Sequence, residues 1–398
     1  MLNIIKNKMA LIIMAIFSIC YFSSSFFAKK QLNDHDFYTW NVFITLMSMS
    51  FSFCFLGSEQ LFTRFIKGDK NRFVIQRDTI ITMVISNAIY LIFLIFVVDK
   101  LWFNMQSAML YLFVSLSSAA FVVIYNSFRV AKLFVRSQLA NGFWKLAIII
   151  FILMPVNIRF EYKLYLALLV SVFISISILK FSKLEICSIN QKQPKGWRRV
   201  FFGFLLSLFV MMLLNNLDRV LVEKVINAKY FSEYVYMLSL TVLPFSLISS
   251  YVGFKELAYL KSKYNKSIYI RRMLRTGVVV IILYSVWFFL VSFFSDFLEV
   301  NLTYSYFLPT LLLVLVKCVY SYYSALFGLN ASGNQMINSN IFTMISLIIM
   351  YFFVINLVSS VEAILYGVAM SWLIRCIIIS IYMRKIDDYD YCTGMTVT

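Results

Sequence analysis

Twelve runs of apolar residues follow one another along this chain, each long enough to cross a hydrocarbon layer and separated by short polar breaks. They lie at about 9–29, 37–62, 78–98, 104–127, 139–157 and 162–181, then at about 199–226, 230–254, 276–298, 303–327, 336–356 and 361–383. An α-helix of about 20 residues spans a hydrocarbon core of about 30 Å and satisfies its own backbone polar groups there. Hydrophobic residues make up 62% and charged residues 14% of the chain, and mean hydropathy is +0.84. Soluble domains run nearer about 45–50% and about 25%, so lipid must solvate much of this surface. The expected fold is an all-α polytopic membrane protein of about 12 transmembrane helices, with too few residues between them for a separate soluble domain.

The formal charge of +18 does not point to nucleic acid, because the cations are not gathered on one folded surface. They sit in short clusters between the apolar runs, as the positive-inside rule requires. Counted on alternate sides, 25 Lys and Arg lie with the two termini and 6 lie opposite. Both termini are therefore expected in the cytoplasm. Lys6 and Lys8 precede the first run, which is long and lacks a small-x-small cleavage site, so it reads as an uncleaved helix. The six cysteines, Cys20, Cys54, Cys187, Cys318, Cys376 and Cys392, show no metal-ligand spacing, and His35 stands alone. No metal or cofactor is expected.

The chain also resembles two copies of itself. Lys30, Asn33 and Phe37 match Lys224, Asn227 and Phe231 at a spacing of 194, while Gly57, Leu61, Lys67 and Lys70 match Gly253, Leu257, Lys263 and Lys266 at 196. The expected halves are residues 1–190 and 195–398, divided at the polar stretch Ser188 to Gly196 with its breakers Pro194 and Gly196. Six helices is an even number, so the two halves would share one orientation, related by a pseudo-two-fold along the membrane normal. Such halves place a cleft between them, and a helical bundle with short loops points to a transporter.

Five cations fall inside helices: Lys145, Arg219, Lys224, Lys317 and Arg375. A charge in hydrocarbon costs a few kcal/mol or more, so it needs a partner or a watery cavity. Lys317 lies midway along its run and Arg375 is similarly deep. Asn215, Asn216, Asp218 and Arg219 cluster in the seventh run, where Asp218 capping locally and Arg219 snorkelling is the plain alternative to a cavity role. Lys145 lies nearer the inner end of its run, where snorkelling suffices. Glu59 is five residues from Arg64, a poor spacing for a local pair. Pro244 interrupts the eighth run and supplies a kink, a natural hinge. A lumen with more cations than anions suits an anionic substrate, phosphate or diphosphate most directly.

The segments FCFLGSEQLFTR (Phe53 to Arg64), LLNNLDRVLV (Leu213 to Val222), FSEYVYMLSLTVLP (Phe231 to Pro244) and GLNASGNQ (Gly328 to Gln335) carry a likeness. With them the chain resembles the O-antigen flippase family of the multidrug/oligosaccharidyl-lipid/polysaccharide exporter superfamily. The resemblance implies flipping of undecaprenyl-diphosphate-linked oligosaccharide units across a bacterial inner membrane, beside a polysaccharide polymerase and a chain-length regulator. It implies Lys317, Arg219 and Arg375 as contacts to diphosphate or acidic sugars. Glu59 or Asp218 would couple an ion, with Asn215 and Asn216 as polar cavity residues. Two rivals stay open. An O-antigen polymerase-type membrane glycosyltransferase has similar length, but such enzymes resemble one another in a large outward loop that this chain lacks. Another exporter of the same superfamily, for drugs or amino acids, would share the layout.

The cation bias makes one firm prediction. A C-terminal fusion at Thr398 should give a fluorescent green fluorescent protein and an inactive alkaline phosphatase; an active phosphatase there would overturn the topology.

Overall fold

The computed structural model describes residues 2–61, 72–103, 108–131, 133–155, 158–182, 184–189, 197–226, 228–260, 263–357, 360–384, 386 and 389–390. Several sequence expectations fall outside them: loop cations Arg64, Lys67, Lys70, Lys132, Lys183, Lys192, Lys195, Lys261 and Lys385, the repeat residue Asn227, and linker residues 190–196.

A helix stands at each of the twelve apolar runs. They are α1 (Leu2–Gln31), α2 (Asp34–Phe53), α3 (Arg77–Phe93, continued in wider turns over Leu94–Phe103), α4 (Ala108–Val130), α5 (Phe134–Leu153) and α6 (Phe160–Phe181). Then come α7 (Trp197–Leu221), α8 in two parts (Ala228–Thr241 and Leu243–Leu260), α9 (Lys266–Phe293), α10 (Phe307–Asn330), α11 (Gly333–Leu357) and α12 (Val361–Met383). Among the described residues nine helices are long and apolar enough to cross a membrane, or ten if the bent α8 is one span. The two helices outside that count are α2, which opens with Asp34, His35 and Asp36, and α5, which carries Arg136, Gln138, Asn141 and Lys145. Nearly all of α2 from Phe37 to Phe53 is buried against protein, so it need not be apolar to be stable.

The surface is apolar where a soluble protein would be polar. On α9 the exposed residues include Leu274, Val278, Ile282, Val286, Phe289 and Phe293, one helical face, whereas Gly277, Val280, Tyr284, Phe288 and Val291 turn inward. The interior carries the hydroxyls: Thr45 Oγ1 donates to the Asn41 carbonyl at 2.9 Å and Ser171 Oγ to Ala167 at 2.6 Å. This is the burial pattern of helices dissolved in lipid.

The chain divides into two units, Met1–Asn216 and Leu217–Thr398. The sequence placed the boundary at residues 190–195; the contacts divide within α7 instead. The first part of α7 belongs with unit one because Phe204 and Leu205 press on Gly57 and Phe209 meets Phe53, with ring centroids 5.8 Å apart. Its last turn belongs with unit two because Asp218 bonds Tyr234.

Each unit repeats one plan. In unit one α2 packs on α4, α3 on α4, α4 on α6 and α5 on α6; in unit two the second part of α8 packs on α10, α9 on α10, α10 on α12 and α11 on α12. Four pairings thus recur six helices later. Small strands, which the sequence reading missed, repeat as well. β1 (Arg72–Gln76), ahead of α3, pairs in parallel with β2 (Glu185–Ile189), which follows α6. β3 (Lys263–Tyr264), ahead of α9, pairs with β4 (Tyr389–Asp390), which follows α12; the placement recurs, but this pair is antiparallel. The signal lay in RFVIQ and EICSI, short β-branched stretches outside the long runs.

Two helices depart from the expected runs. The second run was expected to continue to about residue 62, but α2 ends at Phe53 and a turn follows in which Leu56 and Gly57 take left-handed backbone angles, φ 51° and 88°. A Cβ on Gly57 would stand 3.0 Å from the backbone of Phe204 and Leu205, so the close approach of α7 requires glycine. In α8 the two parts bend by 53° at Val242, beside Pro244. Pro244 has no N–H for the Leu240 carbonyl four residues back, and Trp287 Nε1 on α9 donates to that carbonyl at 2.8 Å instead.

That substitution of partners is testable. Trp287→Phe should lower stability by about 1–3 kcal/mol through the stranded carbonyl. The loss should shrink in a Pro244→Ala background, where a restored N–H can reach Leu240. Denaturation of the full chain in detergent reads both, and equal losses in the two backgrounds would remove the carbonyl from the explanation.

Candidate functional site

Polar and charged side chains of unit two converge where α10 packs on α12. Apolar helices place residues three and four apart on one face. Lys317 and Tyr320 therefore share a face of α10, and Trp372 and Arg375 share a face of α12. Where these faces meet, the four interlock. Lys317 Nζ lies 5.2 Å from the centre of the Trp372 ring, and Arg375 Cζ lies 5.6 Å from that of Tyr320. The two rings meet edge to face at 5.0 Å and 76°. Each cation thus rests on the electron-rich face of the other helix's aromatic, and the rings brace each other.

Arg375 is enclosed, with 1% of its surface exposed. Its Nε donates to the Tyr320 hydroxyl at 3.2 Å, and one terminal nitrogen donates to Asn340 Oδ1 at 3.0 Å and to Thr343 Oγ1 at 3.4 Å. The guanidinium ties α10, α11 and α12 together. The sequence expected Lys317 and at least one of Arg219 and Arg375 to face a shared cavity; the structure gives Arg375 protein oxygens as partners and leaves Lys317 partly exposed.

Among the described residues Lys317 has no direct ion pair, yet Asp218 and Arg219 of α7 both lie within electrostatic reach of it. Asp218 is buried; its Oδ2 accepts from the Tyr234 hydroxyl at 2.7 Å, while Oδ1 has no hydrogen-bond partner. Tyr351 of α11 also lies within the field of Asp218. The arrangement offers an ammonium on an aromatic floor, a second cation in Arg219, and a carboxylate with one open oxygen. It could hold an oxyanion near Lys317 and a cation or proton at Asp218.

Of the other expected site residues, Glu59, Asn215 and Asn216 belong to unit one and Pro244 to unit two. Glu59 sits in the turn after α2 rather than on a helix. It is buried, its Oε1 accepts from Gln60 Nε2 at 3.2 Å, and its Oε2 has no hydrogen-bond partner. Asn216 is buried and donates back to the Met212 carbonyl at 3.0 Å, whereas Asn215 is half-buried. Pro244 marks the α8 bend. Sequence reasoning missed Tyr320, Asn340, Thr343, Tyr234 and Tyr351. The one available signal was an aromatic three residues from each deep cation, Tyr320 after Lys317 and Trp372 before Arg375.

No protein-family model matches the chain, and no curated protein matches its sequence. Solved structures do match. The inward-facing conformation of a multidrug resistance MATE family transporter of the MOP superfamily aligns with a TM-score of 0.57 and 12% identity, over 94% of this chain and 97% of that one. The outward-facing conformation of such a transporter gives 0.56 and 11%, over 95% and 94%. A MATE structure in complex with Br-NRF gives 0.54 and 10%, over 95% and 94%. That fold has twelve membrane helices in two halves. Along nearly its whole length, this chain has the fold of the MATE transporters of the MOP superfamily.

Proposed function

We propose that this protein is a flippase that carries oligosaccharide units linked to undecaprenyl diphosphate, such as O-antigen repeats, across the bacterial inner membrane. The observation that carries the reading is Lys317. It is a partly exposed ammonium inside a membrane helix, seated on Trp372, with no direct carboxylate contact among the described residues to neutralise it. A diphosphate would supply the missing charge. Arg219 adds positive charge for a doubly charged headgroup. Arg375 acts in this reading as a positioning residue that fixes Tyr320, and through it Trp372. Asp218, with one open oxygen, and Glu59 are the groups that would exchange a proton or cation during transport. Pro244 is the proposed hinge, and both termini are placed in the cytoplasm by the cation bias.

A second reading is favoured by one observation. Asp218 presents a buried, open carboxylate oxygen near Tyr234 and Tyr351, a setting that suits a lipophilic cation. On that reading the chain would export cationic drugs, and a strain expressing it would extrude ethidium in an Asp218-dependent way.

The deciding assay is O-antigen display in a strain lacking its own flippase, with the amount of inserted protein measured alongside. Lys317→Ala should abolish display while leaving the protein abundant. Lys317→Arg should retain more activity than Lys317→Gln, because charge matters more than shape at a diphosphate. Full display from Lys317→Ala would contradict the assignment.

A further inference from the structure

A second deep cation, Lys145 of α5, is placed in unit one where the sequence reading did not expect it. Its position near one end of the run suggested an ammonium that snorkels to the membrane surface. The structure folds it inward instead, half-buried, with Nζ 5.6 Å from the centre of the Tyr21 ring on α1 and 5.7 Å from that of Trp144. Among the described residues, the titratable group that acts on it is the Cys20 thiol. Two aromatic faces offset only part of what it costs to take an ammonium out of water, about 2 kcal/mol against several.

Beside it Trp144 is buried, and its indole Nε1–H has no hydrogen-bond partner. The Trp144 ring is gripped by Tyr21, edge-on at 5.7 Å and 71°, and by Phe51 at 5.8 Å. The rings hold the indole in place, so the N–H cannot turn to find a partner. An ammonium and an indole can only donate hydrogen bonds. The unmet demand of both neighbours is therefore for one kind of group, an acceptor, and beside an ammonium in low dielectric a negatively charged acceptor.

We infer that Lys145 and the Trp144 N–H, framed by Tyr21, form an oxyanion-binding subsite of unit one that takes a phosphate or carboxylate group. The inference rests on the reading of an anionic substrate and extends it. Each unit then carries a deep lysine against an aromatic ring, Lys317 with Trp372 in one and Lys145 with Trp144 in the other. The oxyanion could come from a diphosphate, from an acidic sugar, or from an anionic lipid headgroup.

The test uses the full chain, purified in phosphatidylcholine nanodiscs and titrated with inorganic diphosphate and, separately, with glucuronate. Binding should weaken about ten-fold in Lys145→Gln, the loss of one charge-assisted contact. It should be largely kept in Lys145→Arg and fall several-fold in Trp144→Phe. Lys145→Met, which keeps the apolar stem over the rings, separates loss of charge from loss of packing. Diphosphate binding alone assigns the subsite to phosphate, glucuronate binding to an acidic sugar, and competition by phosphatidylglycerol nanodiscs to a lipid headgroup. Wild-type binding of neither probe, or equal binding by Lys145→Gln, overturns the subsite. Flippase activity intact in a protein whose Lys145→Gln variant binds equally would sink only this inference. Oxyanion binding lost at Lys145→Gln in a protein that flips nothing would sink only the flippase reading.

Discussion

A guanidinium enclosed within a membrane-spanning bundle has to find its solvent in the protein, and the second unit is arranged around that demand. Arg375 obtains it from Tyr320 on α10 and from Asn340 and Thr343 on α11, so one charge registers three helices. Removing it would break all three of these hydrogen bonds in low dielectric. The same contacts fix the Tyr320 ring, which braces Trp372, which carries Lys317. A buried cation and a partly exposed one are thus coupled through two aromatic rings, and the position of Lys317 depends on the buried member.

Lipid as solvent explains why so much of the fold could be read from sequence. Each helix needed only a long apolar run, and every run became a helix. The positions where protein replaces lipid as the neighbour were not legible. Helix α2 ends nine residues early because Gly57 lies against the α7 backbone, a contact between segments about 150 residues apart that no local pattern announces. The division at Asn216 rather than at the polar linker has the same origin, since α7 is shared by contacts on both sides of it. The bend at Pro244 was legible, but its rescue by Trp287 was not.

The deep charges show the same limit. Composition and run position singled out Lys317 and Arg375 as charges that need partners. Facing decided their roles, and facing depends on which helix comes opposite. Lys145 was read as a snorkelling residue from its place near a helix end; α1, packed on α5, presents Tyr21 and turns it into an interior cation. The repeat is better seen in the structure than in the sparse residue matches, because four helix pairings recur in order while side chains diverge.

Reconstitution of the full chain in proteoliposomes containing a fluorescent undecaprenyl-diphosphate-linked oligosaccharide tests the central claim most directly. The account predicts movement of the lipid between leaflets well above that in protein-free vesicles, lost in Lys317→Ala and retained in part in Lys317→Arg. Movement no faster than in protein-free vesicles, or equal movement of a neutral lipid-linked sugar lacking the diphosphate, would contradict it.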